Sequence, residues 1–241
     1  MHKEISVVLP AFNEEENIEK QVTDIDKFLQ KKFTDYEIIV VNNGSRDHTK
    51  SIVQNLIKSN KKIKLINLAT NHGYGSGLRA GFKQAKKELI FYTDSDNQFD
   101  IKELRLLMPL TKNYDIVCGY RKNRQDPTMR IFIATVYNII INMLFHVNVR
   151  DIDCSFKIYK KKVFDTITLH SDTGLLDAEI LVKAKKAGFT IAPQIPVTHY
   201  PRTLGQTMYE VGPRGKFFAF VRPEVIVDIF SEINKLWKEL R

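Results

Sequence analysis

Three side chains with oxygen donors, Asp94, Asp96 and Gln98, alternate in the stretch YTDSDNQF, directly after the apolar run Leu89, Ile90 and Phe91. In an extended segment alternate side chains point the same way, so these three would converge while Ser95 and Asn97 face elsewhere. Two carboxylates and an amide oxygen are hard ligands that suit Mg2+ or Mn2+ shared with a diphosphate. The same residues also read as a capped turn, because Asp and Asn are ordinary turn formers and Asp100 can cap a following helix.

The elements that must position this stretch alternate in type. Ile5 to Leu9, Tyr36 to Val41, Ile63 to Leu68, Leu89 to Thr93 and Asp115 to Gly119 read as short apolar strands. Helical stretches separate them: Glu14 to Gln30, then segments ending at Ile57, Ala85 and Leu110. That pattern predicts a mostly parallel, doubly wound α/β sheet with helices on its faces. Ligands of such sheets bind at the carboxyl ends of the strands, which brings Pro10 to Glu14, Asn42 to Asp47, Asn71 to Gly77 and Asp94 to Gln98 around one cleft. Four polar or glycine-rich strand ends around paired acids favour a nucleotide-diphosphate site over a simple turn. There is no GxGxxG after the first strand and no GxxxxGK[ST], so neither a dinucleotide fingerprint nor a P-loop is present.

The second half is less regular. IFIATVYNIIINMLFHV, Ile131 to Val147, is shorter than the ~20 residues of a membrane span. Its Thr135, Asn138, Asn142 and His146 form a polar stripe on an otherwise apolar helix, which suits a core or a membrane surface. A helix over Leu175 to Ala187, a strand near Ile191 to Val197 and a C-terminal amphipathic helix from Pro223 to Leu240 follow. On the last, Ile226, Ile229, Phe230, Ile233, Leu236, Trp237 and Leu240 share one face.

The 241 residues carry a net charge of +9 and two cysteines, Cys118 and Cys154. Two cysteines without CxxC spacing give no disulfide framework, and the N-terminal apolar run is too short for a secretory signal, so a reducing compartment is expected. Basic clusters at Arg121, Lys122 and Arg124, at Lys160 to Lys162, and at Arg214, Lys216 and Arg222 suit an anionic partner, whether nucleic acid, lipid headgroup or phosphorylated substrate, and read equally as a solvated basic surface. No nucleic-acid-binding pattern accompanies them.

VVLPAFNEEENI, VVNNGSRDHT, NHGYGSGLRAGF, YTDSDNQF and DIVCGYR, in that order, resemble a family 2 glycosyltransferase of the GT-A fold. DIDCSFKIYKKKVF and LLDAEILVKAKKAGFTIAPQIPVTHYPRTLGQT are similar to its polyprenyl-phosphate branch, which includes dolichol-phosphate mannosyltransferases. The resemblance implies a Rossmann-like, mostly parallel sheet in one domain over residues 1–241: a nucleotide-sugar-binding half (1–121), an acceptor-binding half (122–222) and a C-terminal helix (223–241). It assigns Pro10, Phe12, Glu14, Asn42, Asn43, Asp94, Ser95 and Asp96 to the nucleotide sugar. It gives Asp94, Asp96 and Gln98 to Mg2+ or Mn2+, Arg121 and Arg202 to phosphates, and Asp153 to a place near the sugar.

The expected reaction moves a sugar, with inversion, from a nucleotide-diphospho-sugar to a polyprenyl or dolichyl phosphate. Where the family reads DDGS, this chain reads Asn42, Asn43, Gly44, Ser45. An asparagine at position 42 both donates and accepts, which suits uracil better than guanine, so a UDP-sugar is favoured and GDP-mannose is the other candidate. Peripheral attachment at the cytoplasmic face of a membrane, directly or through an anchoring partner, is expected from the helix at Ile131 and the basic segments 157–162 and 213–222. Two alternatives stay open: a hydroxyl acceptor, which needs Asp153, Asp177 or Glu179 as a base, and a non-catalytic membrane- or nucleic-acid-binding module.

Overall fold

A computed structural model describes residues 2–124, 126, 128–205, 210–211, 220–221 and 223–240. The strand β1 (His2–Ala11) buries Ile5, Val7, Val8 and Leu9 alike, because both of its faces are covered. It is followed by α1 (Ile18–Lys32), β2 (Phe33–Asn43), α2 (Thr49–Ser59), β3 (Ile63–Leu68), α3 (Tyr74–Gln84) and β4 (Leu89–Thr93). The helix expected through Leu110 is instead a single α-turn, α4 (Leu104–Leu107), between 3-10 turns at Ile101–Glu103 and Met108–Lys112. Asp100 caps the first of these, its Oδ1 accepting from the Lys102 amide at 2.9 Å. Pro109, which cannot donate to a helical ladder, lies in the second.

The second half contains β5 (Ile116–Lys122), α5 (Thr128–Phe145), β6 (Phe156–Lys160), α6 (Lys161–Thr166), α7 (Leu176–Lys186) and β7 (Ile195–Thr198). A small ribbon of β8 (Glu210–Val211) and β9 (Phe220–Val221) precedes α8 (Pro223–Leu240). Seven strands form one sheet in the order β3-β2-β1-β4-β6-β5-β7. Pairing is parallel throughout except at β6, which runs antiparallel to both β4 and β5. The sheet is thus mostly parallel, as expected, with one reversed strand that the sequence pattern did not announce.

Alternate strand residues face two cores. Val7, Leu9, Ile38 and Val40 pack with α1, α2 and α4; Val8, Ile39, Val41 and Tyr92 pack with α3, α7 and part of α5 and α8. Lys157 of β6 is fully buried in the second core, where Asp177 accepts from its Nζ at 2.6 Å and from the Tyr92 hydroxyl at 2.5 Å. Burial works against the Lys157 charge, and the Asp177 carboxylate outweighs it and holds the ammonium above its ordinary pKa.

The polar stripe of α5 is divided: Asn138 and Asn142 face inward, whereas Thr135 and His146, the latter just past the helix end, are exposed. Asn138 Oδ1 accepts from the Ile152 amide at 3.0 Å, and Asn142 exchanges bonds of 2.7 and 3.0 Å with the Val149 backbone. The apolar side faces out: Phe132, Ile139 and Met143 are 63%, 52% and 70% exposed. The basic segment 157–162 departs from its expected role as a lipid-facing surface. Lys157 is internal, Lys160 and Lys162 pair with Asp115 at 3.3 and 2.7 Å, and Lys161 pairs with Asp165. Arg214, Lys216 and Arg222, within segment 213–222, lie outside the described residues, as do the side chains of Ile226, Ile229, Phe230 and Leu240. Ile233 and Leu236 of α8 are buried, as their face predicted.

Helix α3 approaches β1 and β2 so closely that only glycine fits at position 81. A Cβ there would lie 2.4 Å from Val8 Cγ1 and 3.1 Å from Val41 Cγ2, on buried strands with little freedom to yield. Gly81→Ala is expected to destabilise the fold by about 1–3 kcal/mol, measured by urea denaturation, through overpacking of the α3 face.

Candidate functional site

The order β3-β2-β1-β4 reverses direction at β1, so the crevice opens between the carboxyl ends of β1 and β4. A cavity of about 130 Å3 lies there. Pro10, Phe12 and Glu14 line it from the end of β1, and Asn43 from the end of β2. Asp94, Ser95, Asp96 and Gln98 enter from β4, Arg121 from β5, and Arg202 from the segment after β7.

The acidic stretch is a bend and not an extended run. The strand ends at Thr93, and Asn97 takes a left-handed φ of 61°, its amide donating to the Asn17 carbonyl at 3.2 Å. Turn and ligand site, read as alternatives in the sequence, coexist here. Asp94 accepts from the Tyr74 hydroxyl at 2.9 Å and from Ser155 Oγ at 2.5 Å, and its carbonyl accepts from Gln21 Nε2 at 3.2 Å. Ser95, expected on alternation to face elsewhere, lines the cleft and donates to the Pro10 carbonyl at 2.7 Å. Gln98 gives its amide nitrogen to the Tyr200 carbonyl at 2.9 Å, which leaves Oε1 as the atom able to ligate.

Acids outnumber the cations available to them around the bend. Arg202 pairs with Glu14 at 2.7 Å and reaches Asp96 at 3.4 Å. Arg121 is held by a bidentate pair with Asp151, at 2.9 and 2.6 Å, so its guanidinium is fixed in direction and largely neutralised. Burial, and then the neighbouring Asp94 charge, push Asp96 up to about 7 against the pull of Arg202. Two carboxylates and an amide oxygen are a donor set that suits a hard cation, since Mg2+ is typically held by one or two carboxylates plus substrate phosphates. Among the described residues no group of three His, Cys, Asp or Glu side chains is placed to hold a metal ion, so a bound ion would complete its shell with Gln98, water or a diphosphate.

Two expected contacts stand apart. Asn42 is buried, its amide donating to Asn67 Oδ1 at 2.8 Å and its carbonyl accepting from the Ser45 amide at 3.2 Å. Both ends are used, and it does not line the cleft. Its neighbour Asn43 does: Nδ2 donates to the Gly73 carbonyl at 2.8 Å and to Asn71 Oδ1 at 3.2 Å, while Oδ1 is buried without a partner. Asp153 is also not among the residues lining the cleft; its Oδ1 is buried and unpartnered, and burial with Asp177 nearby raises it to about 7. Glu179 faces away, accepting from the His170 and Ser171 amides and pairing with Lys183.

Residues not singled out in the sequence complete the cleft: Tyr74, Arg130, Ser155 and His199. Burial holds the His199 ring down to about 4, hence neutral, against Phe99 with its Nδ1 unpartnered. Tyr74, Ser155 and His199 lie inside stretches that carry the family resemblance, and only the fold turns them toward Asp94 and Asp96.

Because the folded pKa of Asp96 is raised, this group binds protons more tightly when folded. Its contribution to stability is present below about pH 4 and is lost as pH rises to about 7. Asp96→Asn is therefore expected to stabilise the metal-free protein above pH 7, by up to about 4 kcal/mol, and to change little near pH 3, as read from denaturant midpoints across pH.

Residues 6–168 match the family described as Glycosyl transferase family 2. Dolichyl-phosphate beta-glucosyltransferase ALG5A of Trichomonas vaginalis is 32% identical over 212 residues, covering 80% of this chain and 64% of that protein. Undecaprenyl-phosphate 4-deoxy-4-formamido-L-arabinose transferase of Pseudomonas fluorescens is 26% identical over 207 residues, covering 85% and 60%. The chain spans about three fifths of the length of these curated relatives. Glucosyl-3-phosphoglycerate synthase from Mycobacterium tuberculosis, crystallised with Mn2+, UDP and phosphoglyceric acid, superposes with a TM-score of 0.66 at 16% identity. That match covers 84% of this chain and 71% of the other, a likeness of fold alone. With the family match extending over more than half of its length and the acidic bend at the sheet switch point, the chain belongs to glycosyl transferase family 2.

Proposed function

We propose that this chain transfers a sugar from a UDP-sugar to a polyprenyl or dolichyl phosphate, with inversion. The observation that carries the proposal is the meeting of Asp94 and Asp96 with Arg202 at the mouth between β1 and β4. Asp94, Asp96 and Gln98 are the residues that would hold Mg2+ or Mn2+, which supplies positive charge to a leaving diphosphate. Arg202 and Arg121 add fixed cations, and Pro10 and Phe12 wall the nucleoside side. The 1–121 half binds donor, 122–222 serves the acceptor, and the single-domain division follows from that split.

The base preference moves from Asn42 to Asn43. With Nδ2 tied to Gly73 and Asn71, the atom left to Asn43 is an acceptor, Oδ1, which is buried and would meet a base only once uncovered. Uracil presents one N–H between two carbonyls, whereas guanine presents donors on adjacent positions, so a lone acceptor supports UDP. A phosphate acceptor is itself an anionic nucleophile and demands no strong base. That agrees with Asp177 being spent on Lys157, Glu179 on loop amides, and Asp153 not being among the residues that line the cleft. The relatives named for dolichyl-phosphate and undecaprenyl-phosphate support the same acceptor class.

The exposed apolar row of α5 supports peripheral attachment at the cytoplasmic face of a membrane, where the acceptor resides. A short polyprenyl phosphate incubated with UDP- and GDP-sugars and Mn2+ is expected to gain a hexose mass from a UDP-sugar; faster transfer from GDP-sugars would overturn the donor reading. Asp96→Ala is expected to lower that transfer by at least about a hundredfold. Phe132→Asp with Met143→Asp is expected to abolish flotation with anionic vesicles while leaving the circular dichroism spectrum unchanged, and undiminished flotation would sink the attachment.

A further inference from the structure

The turn before α3 carries two groups of the cleft: Gly73 holds the Asn43 amide, and Tyr74 donates to Asp94. This turn does not stand alone. Gly75 N donates to the Asp172 carbonyl at 2.9 Å, and the two backbones touch so closely that a Cβ on Gly73 would lie 2.1 Å from Asp172 O. Gly73 also has a φ of 98°, which only glycine adopts easily. From within α3, Arg79 reaches the Leu169 and His170 carbonyls at 3.2 and 2.9 Å and pairs with the Asp172 carboxylate. The position of the donor turn is therefore the position of loop 169–173.

That loop is neither helix nor strand, and beside one internal bond from the Thr173 amide to Ser171 Oγ it is gripped by carboxylates. Glu179 takes the His170 and Ser171 amides at 2.9 and 2.8 Å. The second grip comes from the C-terminal helix: Glu232 Oε2 accepts from Ser171 Oγ at 2.6 Å and from Thr173 Oγ1 at 2.7 Å. Two turns on, Glu239 pairs at 2.7 Å with Lys183, which also donates to the Thr168 carbonyl. Ile233 and Leu236, buried between these contacts, dock α8 on the second core.

We propose that α8 sets the donor affinity of the cleft, with Glu232 as a positioning residue that latches loop 169–173 against the glycine turn. When α8 is docked, the turn presents Asn43 and Tyr74 in place. When it undocks, Ser171 and Thr173 turn to water, loop and turn loosen together, and the nucleotide must order them at a cost to its own binding. The inference rests on the reading of the cleft as a nucleotide-sugar site, but the mechanical link from Glu232 to Gly75 does not.

The test compares wild type, Glu232→Ala, Glu232→Gln and the double variant Ser171→Ala/Thr173→Ala, which cuts the same bonds from the loop side, together with the bonds these hydroxyls accept from the Thr173 and Leu175 amides, and leaves α8 unaltered; the latch requires Glu232→Ala and the double variant to act alike. Glu232→Ala and the double variant are each expected to weaken UDP binding in the presence of Mn2+ by about fivefold to fiftyfold in calorimetry. KM for the donor should rise in step with kcat changed by less than about twofold, and amide exchange at Gly75 and Gly77 should accelerate. Glu232→Gln keeps an acceptor oxygen and is expected to restore most of the affinity. Equal UDP affinity in wild type and the double variant overturns the latch, including where Glu232→Ala fails to fold. If wild type itself binds no UDP or GDP, the functional reading fails, and exchange decides alone: acceleration at Gly75 in the double variant upholds the latch, and unchanged exchange overturns it.

Discussion

Two carboxylates held close together at the end of a buried strand repel each other, and the surrounding chain is organised by the cost of keeping them there. Asp94 is stabilised by hydroxyl donors from two different elements, Tyr74 at the start of α3 and Ser155 just before β6. Asp96 has weaker support, a backbone amide and a long contact to Arg202, and it is this carboxylate that is pushed toward protonation. Arg202 cannot serve Asp96 fully because its closer partner is Glu14. The deficit of positive charge is thus concentrated at Asp96, where a proton or a cation relieves it.

The reversed strand β6 explains how Ser155 comes to be there. In a wholly parallel sheet β5 would lie beside β4, and the chain before it would run along a helix on one face. Inserting β6 antiparallel between them brings residues 153–156 to the same end of the sheet as the end of β4, with Thr93 opposite Phe156. Lys157 then lies inside the second core, and its pairing with Asp177 ties the first turn of α7 to the sheet. Separating such a buried pair leaves one charge without a partner, a loss of about 3–5 kcal/mol, so the strand and the helix are fixed relative to each other.

The same features mark how much the sequence revealed. The strands β1, β2 and β4 were legible because, buried on both faces, they contain short continuous apolar runs, and the edge strand β3 because its apolar residues Ile63, Leu65 and Ile66 stand out between polar ones. FKIYK was not, since its lysines look like surface residues until the acid that neutralises Lys157 is found on a helix 20 residues away. Among site residues, the acids and prolines at strand ends were readable from their place after those runs. The pair Asn42-Asn43 was ambiguous because adjacent strand residues face opposite sides. Val40 belongs to the core beneath α1 and Val41 to the core beneath α3, and continuing that alternation turns Asn43 toward the glycine turn and Asn42 away from it.

The two faces of the sheet are also unequal. The face under α1 and α2 is a closed core, whereas the other carries α5, which spends Asn138 and Asn142 inward on the backbone of 149–152 and leaves Phe132, Ile139 and Met143 outside. Large apolar side chains left exposed in a row are costly in water. α8 lies against this arrangement at both of its functional edges: Trp237 packs on Phe145 at the end of α5, with ring centroids 5.8 Å apart, and Glu232 holds the loop behind the donor turn. Through these two contacts α8 joins the end of α5 to the loop behind α3 by a path that does not pass through the sheet.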